Sequence, residues 1–271
     1  MDSPRSRRAA AIMGERELVC RQEAQTVSDL VVLMIDMQNG YIAEDGLRDA
    51  LGWPPIWRLD EVVAECRQLL DSARAHNVPV VHSRQVSSPA GQLAANPRAA
   101  RHLRSRQQRL PVLTPEERQW RYELMDAVAP QPGELVLEKT RHSFFAYTEL
   151  DPILRSMGAQ RLLVAGLQTN VCVEATVRAG LERNYEVAVA EDATSTDGPD
   201  LHHGALNSMR VLYVEVAPWR ELLAEGAAWD RAYTTPDYGR NPDYWKEPAE
   251  NVTTLSESGR ARARWQPVVG A

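Results

Sequence analysis

Short apolar runs alternate with longer amphipathic segments along most of the chain. The runs are rich in Val, Leu and Ile, which is typical of strands buried on both faces of a parallel sheet. They predict strands at residues 30–35, 78–82, 135–137, 161–166, 185–190 and 211–216. Apolar positions at helical spacing predict helices at residues 56–77, 115–128, 148–157 and 199–210, and one more that begins near residue 172. This alternation predicts an α/β fold, a doubly wound, mostly parallel six-stranded sheet with helices on both faces.

The alternating pattern covers residues 28–225, which we expect to form one domain. Residues 1–27 are polar and Arg-rich without periodicity, which predicts a flexible or peripheral N-terminal arm. Residues 226–271 are rich in Pro, Tyr, Trp and charged residues, which predicts an extended C-terminal arm. Its aromatic side chains need a surface to pack on, and this favours a homo-oligomer.

The composition excludes several classes of protein. The 271 residues are 44% hydrophobic and 25% charged, which is ordinary for a globular protein. A net charge of -6 with dispersed basic residues argues against nucleic acid as a partner. No run approaches the roughly 20 apolar residues of a membrane span, and no signal peptide is apparent, so we expect a cytoplasmic protein without a membrane partner. The cysteines Cys20, Cys66 and Cys172 have neither disulfide nor metal-ligand spacing.

Three chemically active side chains follow predicted strands. Asp36 ends the first strand, Lys139 lies just past the third, and Cys172 begins the helix after the fourth. The carboxyl ends of parallel strands converge on one crevice, so we expect these side chains to meet there. The N-terminus of a helix would lower the pKa of the Cys172 thiol. A carboxylate can accept the thiol proton, and an ammonium can stabilise the thiolate. The trio, with backbone N–H groups of residues 167–172 for an oxyanion, predicts a covalent hydrolase.

Each of these residues also has a plainer interpretation. Free cysteines are mostly small core residues, and Cys66, which lies on the apolar stripe of the first helix, is predicted to be one. Asp36 could cap the turn at Asn39 and Gly40, and a lone lysine such as Lys139 is usually solvated.

Three segments resemble the signature blocks of the isochorismatase-like cysteine hydrolases. They are VLMIDMQN at residues 32–39, LEK at 137–139 and GLQTNVCV at 166–173. The resemblance runs from residue 30 to residue 221 in the expected order and spacing. It is closest to the ureidoacrylate amidohydrolase branch, through residues 130–137, 143–145 and 151–156.

The resemblance implies a role for each member of the trio. Cys172 would be the nucleophile, Asp36 the base that takes the thiol proton and later helps activate water, and Lys139 the residue that stabilises the thiolate. A cis peptide between Leu167 and Gln168 would direct the N–H groups of Gln168 and Cys172 at an oxyanion. The implied activity is hydrolysis of a C–N bond in a small amide, ureido or carbamoyl compound through a covalent acyl-enzyme.

The resemblance also bears on metals and substrate. Members of the nicotinamidase branch hold a metal with an Asp and several His residues, whereas residues 82–92 here contain no such cluster. We therefore expect no metal and no cofactor. Seven residues beside the three segments, or in the insertion predicted to face them, are candidates for substrate binding: Gln38, Tyr41, Arg84, Trp120, His142, Phe145 and Gln168.

Two other functions stay open at this point. A vinyl-ether hydrolase of the isochorismatase type would use Asp36 as an acid and would not need Cys172. A non-catalytic binding protein could have kept the fold. The resemblance further implies a homo-oligomer, either a dimer or a tetramer.

Overall fold

The computed structural model describes residues 29–44, 48, 50, 52–86, 111–224 and 229. Its sheet has six strands in the order β3-β2-β1-β4-β5-β6, and all pairings are parallel. The strands are β1 (Leu30–Ile35), β2 (Val80–Gln85), β3 (Leu135–Lys139), β4 (Arg161–Leu167), β5 (Glu186–Ser195) and β6 (Glu215–Ala217). The predicted doubly wound α/β fold is confirmed.

Helices connect the strands and cover the sheet. The α-helices are α1 (Leu59–Ala75), α2 (Pro115–Tyr122), α3 (Leu150–Ser156), α4 (Glu174–Leu181), α5 (Pro199–Arg210) and α6 (Trp219–Leu222). Short 3-10 helices lie at Asn39–Tyr41 and Asp126–Val128, and a π-helix at Thr169–Val173 precedes α4. In the ranges that the structure describes, no helix is both long and apolar enough to cross a bilayer.

The central strand β1 separates two apolar clusters. Val32 and Met34 point to the side of α1, whereas Leu33 and Ile35 point to the side of α3, α4 and α5. All six residues of β1 are buried, as expected for a strand covered on both faces. Cys66 has no exposed surface and packs in the α1 cluster, where its thiol donates to a backbone carbonyl. The prediction that it belongs to the core is confirmed.

Five strands have boundaries that differ from the predictions, mostly because pairing overrides the apolar pattern. Strand β3 continues to Lys139 and β4 to Leu167, since these ends pair with β2 and β5. Strand β2 starts two residues later and continues to Gln85, since its polar end pairs with the end of β3. Strand β5 continues to Ser195 because its last residues pair with β4 beyond a register shift. The predicted strand at 211–216 is wrong over its first four residues, because α5 ends at Arg210, Tyr213 has a φ of 64° and β6 begins only at Glu215.

Three helices are shorter than predicted, and α1 spans Leu59–Ala75 within the predicted 56–77. Helix α2 ends at Tyr122, since Leu124 forms an antiparallel bridge with Gln38 that requires extended backbone. Helix α3 begins at Leu150, two residues later than predicted, and its N-cap is Glu149. Helix α5 matches its prediction at both ends.

The chain divides into two compact units, Met1–Arg231 and Ala232–Ala271. All described residues belong to the first unit. The arms predicted at residues 1–27 and 226–271 lie outside the described residues, apart from residue 229.

Candidate active site

The carboxyl ends of β1, β3 and β4 bring the three chemically active side chains together. Asp36 directly follows β1 with a φ of 48°, Lys139 is the last residue of β3, and Cys172 lies in the π-helix after β4. Strand β2 lies between β1 and β3, so the long Lys139 side chain crosses the end of β2 to reach Asp36. This explains why the site needs a lysine on that strand.

Asp36 and Lys139 form a fully buried ion pair. Asp36 Oδ2 lies 2.6 Å from Lys139 Nζ, and neither side chain reaches solvent. Ser83 on β2 completes the carboxylate's environment, because its hydroxyl donates to Asp36 Oδ1 at 2.7 Å. The same hydroxyl accepts the backbone N–H of Asp36 at 3.1 Å. Ser83 therefore fixes both the carboxylate and the strained turn that carries it.

The Lys139 ammonium also contacts the thiol. Lys139 Nζ lies 3.4 Å from Cys172 Sγ, 2.7 Å from Gln85 Oε1 and 3.0 Å from the carbonyl oxygen of Arg141. The ammonium is thus held between one carboxylate, two neutral oxygens and the sulfur. Sequence reasoning missed Ser83 and Gln85, although their alternate spacing on β2 places both on the face that carries the trio.

The thiol is protonated in the resting site. Cys172 is 5% exposed. Burial first, and then the negative charge of Asp36, raises the pKa of the Cys172 thiol to about 12, against the opposing effect of Lys139. The expectation that this pKa is lowered is wrong, because desolvation and the nearby carboxylate favour the neutral thiol. A neutral thiol next to a carboxylate is suited to proton transfer when an electrophile arrives.

The turn between β4 and Cys172 has an unusual backbone. Gly166 has a φ of 105°, and a Cβ there would lie 2.2 Å from the carbonyl oxygen of Ile35. The next peptide, Leu167–Gln168, is cis. The carbonyl of Gln168 then accepts hydrogen bonds from the N–H groups of Val171 and Val173 at 3.0 and 3.1 Å. These hydrogen bonds fix the turn that carries Cys172.

A row of three hydrogen-bonded, buried polar side chains supports this turn. His202 Nδ1 lies 2.9 Å from Thr169 Oγ1, which lies 3.1 Å from Thr194 Oγ1. Thr194 in turn donates to the carbonyl of Gly166 at 2.7 Å. Burial lowers the pKa of His202 to about 4, so its imidazole is neutral at pH 7. Sequence reasoning missed this row, whose only signal is a histidine on the apolar side of α5.

The Isochorismatase domain model matches residues 31–221, more than half of the chain. The chain belongs to the isochorismatase family. It is 35% identical over 196 residues to ureidoacrylate amidohydrolase RutB of Pantoea ananatis, an alignment that covers 69% of this chain and 78% of that protein.

Solved structures with a similar fold include one named as a cysteine hydrolase and one named as an amidase. A cysteine hydrolase from Pseudomonas syringae superposes with a TM-score of 0.59 at 26% identity, covering 72% of this chain and 91% of that one. N-carbamoylsarcosine amidase from Thermoplasma acidophilum superposes with a TM-score of 0.52 at 25% identity, covering 70% of this chain and 96% of that one.

One of the predicted substrate-binding residues of this isochorismatase-family chain, His142, lies beside the Cys172 thiol, and a second, Tyr41, interacts electrostatically with Asp36. Burial, followed by the negative charge of Asp36, raises the pKa of Tyr41. The His142 side chain is partly exposed, and its Nδ1 lies 3.9 Å from Cys172 Sγ. Partial burial, followed by the positive charge of Lys139, lowers the pKa of His142.

Gln38 and Gln168 have side chains that are already hydrogen-bonded. The Gln38 amide donates to the carbonyls of Gln85 and Tyr122, and it accepts the N–H of Gln85. This favours a structural role for Gln38 over the predicted contact with substrate. The Gln168 amide donates to Asp197 Oδ1 at 2.6 Å.

The remaining three candidates lie away from the trio. Phe145 is in the core, with its ring 5.9 Å from that of Tyr185, so its prediction as a pocket residue is wrong. Arg84 pairs with Glu138 at 2.5 Å, and the alternation along β2 turns it to the face opposite Ser83, which contradicts its predicted position. Trp120 is 44% exposed on α2, and in the described chain no polar contact links it to the trio.

No group of three or more His, Cys, Asp or Glu side chains is arranged to hold a metal ion in the described ranges. The described thiols, Cys66 and Cys172, are both free.

Proposed function

We propose that this protein is a cysteine-dependent amidohydrolase that cleaves a C–N bond of a small amide, ureido or carbamoyl compound. The observation that carries the proposal is the double contact of Lys139 Nζ, at 2.6 Å from Asp36 Oδ2 and 3.4 Å from Cys172 Sγ. A thiol, a carboxylate and an ammonium in mutual contact supply a nucleophile, a proton acceptor and a charge that holds the thiolate.

In the first half of the reaction, Asp36 takes the thiol proton and Cys172 Sγ attacks the carbonyl carbon. Lys139 stabilises the negative sulfur, and the N–H groups of Gln168 and Cys172 hold the oxyanion. The C–N bond then breaks, the nitrogen takes the proton from Asp36, and the amine leaves. A thioester on Cys172 remains. In the second half, water attacks the thioester, the C–S bond breaks and the thiol is restored.

The substrate class rests on relatives as well as on chemistry. The names of the relatives are ureidoacrylate amidohydrolase and N-carbamoylsarcosine amidase. Both named substrates contain a urea-type group. We therefore infer that this chain acts on a small ureido or carbamoyl compound.

The test is a panel of ureidoacrylate, N-carbamoylsarcosine and other N-carbamoyl acids, assayed for ammonia release by the wild-type chain. For any substrate that is turned over, Cys172→Ala should lower kcat by about 1,000-fold or more, since the nucleophile is gone. Cys66→Ala removes the other described thiol from the core and should keep activity. Undiminished hydrolysis by Cys172→Ala would contradict the proposal.

Cys172→Ala and Asp36→Asn together distinguish the amidohydrolase from the vinyl-ether hydrolase alternative. Hydrolysis of isochorismate by an acid mechanism would survive Cys172→Ala and would be lost in Asp36→Asn. The amidohydrolase proposal predicts that each substitution, made singly, abolishes hydrolysis of the ureido substrate.

We also propose that residues 28–225 form the catalytic domain of a cytoplasmic homo-oligomer. The aromatic residues of the segment 226–271 support an oligomer, because they need a surface to pack on. A chain that ends at residue 225 should sediment at lower mass than the full chain. Unchanged sedimentation would contradict a role of this segment in assembly.

A further inference from the structure

Gln168 has a side-chain amide whose orientation is set by a carboxylate. Strands β4 and β5 pair Leu167 with Ser195, so the residues just beyond the two strands lie side by side. There, Gln168 Nε2 donates to Asp197 Oδ1 at 2.6 Å. A carboxylate in an ion pair can only accept hydrogen bonds, so the Gln168 amide must present its nitrogen to it. The amide oxygen, Gln168 Oε1, therefore points away from Asp197.

An arginine holds this carboxylate in place. Arg48 Nη2 donates to the same Asp197 Oδ1 at 2.7 Å, and only 12% of the Arg48 side chain is exposed. The guanidinium also donates to the carbonyl of Pro54. Its Cζ lies 5.9 Å from the ring centres of both Tyr41 and Trp53. Arg48 is therefore fixed on several sides, and it fixes Asp197 in turn.

The Gln168 oxygen is an acceptor without a donor. No hydrogen bond from the described chain reaches Gln168 Oε1, and Gln168 is partly exposed. The backbone carbonyl of the same residue accepts the N–H groups of Val171 and Val173, on either side of Cys172. Its backbone N–H is one of the two assigned above to the oxyanion. An acceptor on this residue is thus placed beside the carbonyl group that Cys172 would attack.

We propose that Asp197, held by Arg48, orients Gln168 so that Gln168 Oε1 accepts an N–H of the substrate's urea-type group, a role that rests on the proposed function. Asp197 and Arg48 are positioning residues, whereas Gln168 contacts the substrate. A urea-type group has N–H donors next to its carbonyl, and an ester has none. The site therefore selects ureido and carbamoyl compounds over esters, whose binding would leave the Gln168 acceptor unpaired.

The test compares a substrate that has N–H groups with one that lacks them. The first is the compound of the ureido panel above that the wild-type chain hydrolyses fastest, and the second is p-nitrophenyl acetate. Gln168→Met keeps the side-chain length but removes the acceptor, so kcat/KM for the ureido compound should fall about 10-fold or more. Acylation of Cys172 by p-nitrophenyl acetate should be unchanged, since the backbone N–H of residue 168 remains.

Variants of Asp197 distinguish positioning from a structural role. Asp197→Leu frees the Gln168 amide, so the ratio of kcat/KM for the ureido compound to kcat/KM for the ester should fall about 10-fold. Asp197→Asn should keep this ratio, because Arg48 and Gln168 can both still donate to its side-chain oxygen. A merely structural role would lower both values together and leave the ratio unchanged. Gln119→Met, on an exposed glutamine of α2, is the control and should behave as wild type.

The possible failures are distinguishable. An unchanged ratio in Gln168→Met or in Asp197→Leu would overturn the inference and leave the proposed function intact. Equal loss of both reactions in Gln168→Met would also overturn it, since the side chain would then support only the turn. A wild-type chain that hydrolyses no compound of the panel, or whose Cys172 is not acylated by p-nitrophenyl acetate, would contradict the proposed function, and the inference with it.

Discussion

Lys139 Nζ lies 2.6 Å from Asp36 Oδ2 at a point where neither side chain has any exposed surface. Removing two such charges from water is costly, and their attraction compensates only while both are present. The pair therefore links the stability of the fold to the proposed chemistry, because a single substitution leaves an uncompensated charge in the interior.

Lys139→Met should abolish hydrolysis and also destabilise the chain by about 3 kcal/mol, since Asp36 would be buried alone. Adding Asp36→Asn should restore much of the stability and none of the activity. Urea unfolding followed by circular dichroism measures the first effect. Arg67→Met, which removes an exposed pair with Asp71 at 4.0 Å, is the control and should change stability by less than about 1 kcal/mol. Equal stability of Lys139→Met and wild type would argue against a charged pair.

Ser83→Ala should lower kcat by about 10-fold or more with little change in KM, because Ser83 orients the carboxylate without facing the substrate. It should also cost about 1 to 3 kcal/mol, since the buried N–H of Asp36 loses its acceptor. Steady-state kinetics and urea unfolding test both effects. Ser156→Ala, at the exposed end of α3, is the control for removing a hydroxyl. A rise in KM alone would place Ser83 in substrate binding instead.

Gly166→Ala should prevent folding to the active form. The added Cβ would lie 2.2 Å from the carbonyl oxygen of Ile35, and the φ of 105° is itself unfavourable for alanine. Gly204→Ala in α5 meets no atom within 4 Å and should be neutral or stabilise the helix by about 0.5 to 1 kcal/mol. Soluble yield and thermal melting compare the two. A stable, active Gly166→Ala chain would contradict this close approach of β4 to β1.

His202 should make the fold sensitive to acid. Its pKa is about 4 in the folded chain and about 6.5 when unfolded, so the unfolded state binds more protons between these values. Stability from the neutral imidazole is present above pH 6.5 and is lost as pH falls towards 4, by about 3 kcal/mol. The urea midpoint of His202→Gln should change less between pH 7 and pH 4.5 than the urea midpoint of wild type. His203→Gln, on the exposed neighbour, should not.

The arrangement of the strands was predictable because apolar runs and their spacing reflect burial directly. The meeting of Asp36, Lys139 and Cys172 followed from parallel topology, which places strand ends at one edge. The thiol pKa did not follow, since it depends on desolvation and on the distance to Asp36, and neither is encoded locally. Phe145 was misassigned for a similar reason, because proximity in sequence to Lys139 does not reveal that its ring turns into the core.

Helix and strand ends were less predictable where contacts distant in sequence determine them. Helix α2 stops because of a bridge between Leu124 and Gln38, and β5 continues because β4 pairs with it as far as Ser195. Such contacts between distant segments leave no periodic signal.

Strand β3 lies at the edge of the sheet, and Leu135 and Val136 at its start are each 37% exposed. Edge strands with exposed side chains open at lower free energy than central strands. Because this strand ends in Lys139, its local opening would withdraw the ammonium from Asp36 and Cys172 while the rest of the sheet stays folded. Activity should therefore be lost at a lower urea concentration than the concentration that unfolds the whole chain. The rate of amide exchange in β3 should indicate how large this difference is.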